Sequence, residues 1–68
     1  MKGIPALQEW LEETGTTQVQ LAREIQVSQP TISDWVNGNI TPSVDNLVRL
    51  SGVTGISIER LVREAAAA

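Results

Sequence analysis

The chain has no cysteine and no histidine, and its only lysine is Lys2. Without cysteine there are no disulfides and no thiolate metal ligands, which fits a reducing compartment. Without histidine or a neighbouring lysine, the many serine and threonine hydroxyls lack a base to activate them. A glycine-rich phosphate loop and a run with metal-ligand spacing are also missing. These absences argue against an enzyme, and no cofactor, metal or small-molecule substrate is expected. Long apolar runs are missing too: none approaches the roughly 20 residues that cross a bilayer, and the first residues lack the pattern of a signal peptide. The expectation is a soluble cytoplasmic protein with no membrane partner. Positive charge is scarce, since five cations stand against eight acids for a net charge of -3. That balance is opposite to the basic footprint of a nucleic-acid binder.

What is present is helical patterning. Apolar residues recur at helical spacing and strict alternation is nearly absent, so the class is all-α. Sixty-eight residues make one domain, read as residues 1–64 followed by a flexible alanine tail at 65–68. A chain this short buries only about 60% of its unfolded surface, so dimerisation would add to a thin margin.

The first helix starts at Pro5, whose fixed φ suits a first turn, and aligns Ala6, Leu7, Trp10 and Leu11 before Gly15 ends it. Its other face, Glu9, Glu12 and Glu13, is a solvated one. Thr17 and Gln20 have the spacing of a capping box opening a second helix over Gln18–Ile25, with Leu21 and Ile25 toward the core and Ala22 small enough for close helix approach. Ser28 caps a third helix over Gln29–Asn37, in which Pro30 is tolerated in the first turn and Gly38 is the stop. Ser43 caps a fourth, with Val44, Leu47, Val48 and Leu50 as its buried residues, and Gly52 and Gly55 break the next stretch. Ser57 caps a fifth with an Ile58, Leu61 and Val62 stripe; a short strand at residues 56–58 is the alternative.

On a wheel at 100° per residue, Ile32, Trp35 and Val36 of the third helix share one side, and Pro30, Ser33, Asp34 and Asn37 the other, flanked by Gln29 and Thr31. Such a face fits either a solvated surface helix or one laid in a DNA major groove, where amides and hydroxyls read base edges. Residues 18–38, with Pro42 and the run over 50–61, resemble the phage repressor and Cro-like helix-turn-helix family, also called the XRE family. The likeness rests on Gln18, Leu21-Ala22, Ile25, Val27, Ser28-Gln29, Ile32-Ser33, Trp35 and Asn37-Gly38, and it extends over residues 4–61.

The resemblance implies a compact five-helix, lambda-repressor-like domain that regulates transcription, a phage or bacterial Cro-like repressor. It implies a homodimer on palindromic double-stranded operator DNA, with the third helix in the major groove and half-sites roughly 34 Å apart. Carried over by position, Gln29, Pro30, Ser33 and Asp34 face the bases, while Gln18, Thr17, Ser28, Thr31, Asn37 and Asn39 face the backbone. Ile56, Ile58, Leu61 and Val62 form the candidate dimer surface, against the alternative that they only close the monomer core. Arg23 reads as an exposed charge and Trp10 as a core edge. A rival reading, suggested by the acidity, is a helix-turn-helix that binds protein, as an antitoxin-like module.

Two residues depart from the family's pattern. Gln26 stands where a left-handed glycine is usual, which predicts either φ > 0 at a cost of roughly 1–2 kcal/mol or a reshaped turn. Asp34 sets a carboxylate against phosphates but can accept a hydrogen bond from cytosine N4. With so few cations, a salt titration of DNA binding should give a shallow line, since the slope grows by about 0.9 for each phosphate neutralised; a steep slope contradicts this account.

Overall fold

Side-chain caps set where the helices begin. In a computed structural model describing residues 3–67, the chain forms α1 (Pro5–Thr14), α2 (Gln18–Ile25), α3 (Gln29–Asn37), α4 (Val44–Thr54) and α5 (Ile58–Ala67). Thr17 Oγ1 accepts from the Gln20 N–H at 3.1 Å while Gln20 Oε1 accepts from the Thr17 N–H at 2.9 Å, a complete capping box. Ser28, Ser43 and Ser57 accept the N–H three residues on, from Thr31, Asn46 and Arg60. All the expected caps are in place, and residues 56–58 form no strand: Ile58 opens α5.

α1 lacks such a cap. Ile4 offers no side-chain acceptor, and the Ala6 N–H instead donates to Glu64 Oε1 of α5 at 2.8 Å. The other oxygen of Glu64 holds Arg60 Nε at 3.0 Å, and Arg60 Nη2 reaches Glu9 Oε1 at 3.1 Å. The hydrogen bond to Glu64, then that to Glu9, raises the Arg60 pKa above its already high ordinary value. The Arg60–Glu9 pair is largely exposed and adds little stability, whereas Glu64, only 20% exposed, ties α5 to the start of α1.

α2 ends on Gln26, at φ 61 and ψ 48, the one positive-φ residue other than glycine among those described. The Val27 N–H reaches the Ala22 carbonyl at 2.9 Å and the Gln26 N–H the Arg23 carbonyl at 3.3 Å, the paired bonds of a Schellman motif. The family's turn is therefore kept, with glutamine bearing the strain. A second tight place is Gly3, buried at φ 97, where an added Cβ would fall on the Val36 carbonyl oxygen. Gly3 thus lies directly against the end of α3. Lys2 and Ala68 lie outside the described residues.

Every helix contributes to one core: Leu7, Leu21, Ile32, Leu50 and Leu61 are fully buried, with Ile4 beside them. Ala22 of α2 and Trp35 of α3 are buried in the same core. Trp10, Val27, Val36 and Ile56 pack on this core half-buried.

Three expectations change. Val44 and Val48 are not buried; they are 73% and 55% exposed, while Leu47 and Leu50 face inward. Val48 follows Leu47 by one residue and so points about 100° away from it. Gly52 lies within α4, which Gly55 ends. The alanine run does not begin beyond the fold, because α5 continues to Ala67 and Ala65 is buried. No helix among the described residues is long and apolar enough to cross a membrane.

Replacing Gln26 with glycine removes the left-handed penalty but adds freedom to the unfolded chain. The expected net gain is about 1 kcal/mol, or roughly 4–8 °C in Tm for a domain of this size. Thermal denaturation followed by circular dichroism checks it; a lower Tm would mean that the Gln26 side chain supplies more than the strain removes.

Candidate nucleic-acid interface

The Schellman turn folds α3 back so that its first residue meets the first residue of α2. Gln29 Nε2 donates to Gln18 Oε1 at 2.6 Å, joining the two N-termini through side chains eleven positions apart. Gln29 is exposed and Gln18 half-buried, so the bond is at the surface and fixes an amide that would otherwise rotate freely. Of the Gln29 amide's groups, one N–H is committed to Gln18, leaving a second N–H and the carbonyl oxygen. That donor–acceptor pair matches adenine N7 and N6–H₂ in the major groove. Sequence reasoning placed both glutamines at the interface but missed their bond. The signal lay in both being the first residue of their helices.

The rest of α3's outer face is polar and short. Pro30 and Asn37 are exposed, Ser33 and Asp34 half-buried, and the Asn37 amide donates to Ser33 Oγ at 3.3 Å. Asp34 leans along the helix toward the α3–α4 loop, where Asn39 Nδ2 reaches Oδ1 at 3.5 Å. Its backbone carbonyl gathers the N–H groups of Gly38, Asn39 and Ile40. Asp34 and Asn39 are thus joined by one long, exposed hydrogen bond across the start of the α3–α4 loop. Ile32 and Trp35 belong to the core and Val36 to its edge.

Thr17 and Ser28, expected at the backbone, are engaged as caps, and Ser28 Oγ also lies 2.7 Å from Thr31 Oγ1. The hydroxyls stay exposed or at the margin. At the start of α2 the leading N–H groups lack intrahelical partners and the helix dipole is positive there, an arrangement suited to an anion. Gln18, Thr17, Ser28, Gln29 and Thr31 thus gather at one edge of the face, Asn37 and Asn39 at the other.

Residues 24–48, which include all of α3 and the loops on either side, contain no lysine or arginine. Arg23 lies along an open depression of about 680 Å³ with Trp10, Gln20, Glu24 and Val53. Arg49 donates to the Ile25 carbonyl at 3.4 Å, and Arg60 is tied to Glu9 and Glu64. Of the proposed dimer residues, Leu61 is fully buried and so belongs to the monomer core. Ile56 is half-buried, and Ile58 and Val62 are 37% and 45% exposed.

A helix-turn-helix family model matches residues 7–61. A curated relative from Haemophilus influenzae, named an uncharacterized HTH-type transcriptional regulator, is 45% identical over 42 residues. The match takes in 62% of this chain and 18% of the relative, so the chain spans under a fifth of that protein's length. No solved structure matches.

Removing the carboxylate should have two effects if this face meets DNA. Asp34→Ala is expected to strengthen binding to random duplex and to relax the preference at one base position. Comparing the duplexes selected from a random library by the parent and the variant tests both; identical affinity and identical preference refute the assignment.

Proposed function

The chain belongs to the helix-turn-helix family, and on that premise we propose that it is a sequence-specific DNA-binding transcriptional regulator. In the finer form of the proposal it is a Cro-like repressor of phage or bacterial type. It sits as a homodimer on a palindromic operator, with one α3 in the major groove of each half-site. The observation that carries the proposal is the Gln18–Gln29 hydrogen bond on an otherwise polar, outward α3 face. Gln29 reads an adenine, held at its reading angle by Gln18, which at the same time meets a phosphate beside the free N–H groups of α2. Pro30, Ser33 and Asp34 line the remaining base-facing positions. Thr17, Ser28, Thr31, Asn37 and Asn39 touch the sugar–phosphate chain at the two edges. Contacts of this kind position the protein without adding charge.

One observation favours a second reading, in which the domain binds another protein. The surface that would enter the groove has no cation within residues 24–48 and carries Asp34, whereas phosphate neutralisation supplies essentially all non-specific DNA affinity.

Selection of duplexes from a random library, followed by anisotropy titration, separates the two readings. Gln29→Ala should lose about 1–3 kcal/mol of discrimination, which is the worth of one bidentate base contact, at a single A·T position. Gln18→Ala should lower affinity on every duplex and weaken the same A·T preference. Selection of no duplex even at low salt would reject the repressor and support the protein-binding reading.

A further inference from the structure

Two adjoining depressions lie between α2 and the later part of α4, and no residue of α3 lines either. The first, of about 680 Å³, is walled by Trp10, Gln20 and Arg23. The second, of about 220 Å³, runs on past Ile25 to Gln26 and Arg49. Both include Glu24, Gly52 and Val53, so they form one open trench. Gly52 keeps it open. The residue sits inside α4, where glycine is a poor helix former, yet a Cβ built there would meet nothing within 4 Å. Its backbone is helical, not left-handed, so neither a turn nor packing within the chain calls for glycine. The missing side chain leaves the floor clear for the close approach of another molecule.

We propose that this trench seats an acidic segment of a partner protein, with an apolar side chain of that segment over Gly52 and against Trp10 and Val53. Charge complementarity selects the occupant. Arg23 is exposed and forms no ion pair among the described residues. Arg49 gives one N–H to the Ile25 carbonyl, which leaves most of its guanidinium donors uncommitted. Gln20 commits Oε1 to the Thr17 N–H, so its Nε2 donors remain, one turn along α2 from Arg23. The trench thus holds two guanidinium groups and one carboxylate in a chain of net charge -3. Glu24, common to both depressions, repels a continuous polyanion such as a nucleic-acid strand but tolerates a peptide whose acids are spaced by apolar residues. An enclosed site buries roughly 70–90% of a small ligand. An open trench does not, whereas an extended segment can lie along it, anchored at tryptophan and arginine as protein contacts commonly are.

The probe is the capped peptide acetyl-Glu-Leu-Glu-Leu-Glu-amide, titrated into the full chain and followed by NMR. No DNA takes part, so the result is independent of the proposed function. The Trp10 indole and the Val53 methyls should shift and saturate between micromolar and millimolar peptide. The buried Trp35 indole and the exposed Val44 and Val62 methyls should stay in place. Arg23→Gln should weaken binding about fivefold, as for the loss of an exposed ion pair. Arg23→Glu should turn the preference toward acetyl-Lys-Leu-Lys-Leu-Lys-amide. Gly52→Gln fills the floor and should abolish binding while melting no lower than the parent, because glutamine is the better helix former; a merely structural role for Gly52 does not give that combination. The proposal is overturned by an absence of shifts at Trp10 and Val53, or by full binding in Gly52→Gln. Equal binding of the lysine peptide, or of acetyl-Glu-Gly-Glu-Gly-Glu-amide, by the parent would overturn it as well. A random duplex that shifts Trp10 and Val53 in place of the peptide would assign the trench to nucleic acid instead.

Discussion

The left-handed conformation of Gln26 is the constraint on which the rest of the domain depends. It closes the Schellman pair, Val27 to Ala22 and Gln26 to Arg23, and so turns the chain sharply enough for α3 to start beside the beginning of α2. The burial of Ala22, Ile25, Ile32 and Trp35 in one core and the Gln18–Gln29 bond result from that angle. A glycine would take the conformation with less strain. That glutamine holds it shows that the packing on both sides over-determines the turn, since strain of roughly 1–2 kcal/mol persists only where its surroundings impose it.

The parts that were legible in the sequence were those governed by local chemistry. Caps at Thr17, Ser28, Ser43 and Ser57, stops at Gly15 and Gly38, and the inner faces of α1, α2 and α3 each depend on residues a turn or less apart. Val44 and Val48 were misread because helical spacing alone does not say which of two adjacent apolar lines the neighbouring helices cover. α2 and α5 settle that, and they are distant in sequence. The burial of Ala65 was hidden for the same reason: a methyl group supplies little apolar signal, but α5 continues unbroken past Leu61, and Glu64 is already held at the start of α1. At the candidate interface the residue types were readable from position. Their pairings, Gln18 with Gln29 and Asp34 with Asn39, were not, because each depends on how a turn aims two side chains.

The α3 face combines well-placed hydrogen-bonding groups with almost no charge. Cationic contacts attract every duplex alike, whereas amide and hydroxyl contacts distinguish one base edge from another. On the proposed reading, a face built from Gln29, Ser33 and Asn37, with Asp34 among them, would give up the unspecific share of affinity and keep the selective share, and the ratio between right and wrong sites would rise even as binding at any one half-site weakened. The net charge of -3 is in that light compatible with sequence reading, provided that affinity is recovered by some means other than phosphate neutralisation.

Pairing two copies, as in the proposed operator complex, would be such a means. When two weak half-sites are joined, the second binding event becomes intramolecular, and its gain depends on geometry more than on the strength of either contact. The geometry is demanding, because the link must hold both α3 faces toward the same side. Ile40 lies in the α3–α4 loop beside Asn39, and Val44 opens α4, so on the proposed dimeric reading a seam there would sit close to the polar face and transmit its orientation through few residues. A seam on the far side, at the Trp10 and Arg23 depression, would act through α1 or α2 and leave the angle between the two α3 helices loosely fixed. An exposed apolar edge on so small a domain carries an aggregation cost, and a pairing contact beside the α3–α4 loop would give that cost a compensating use.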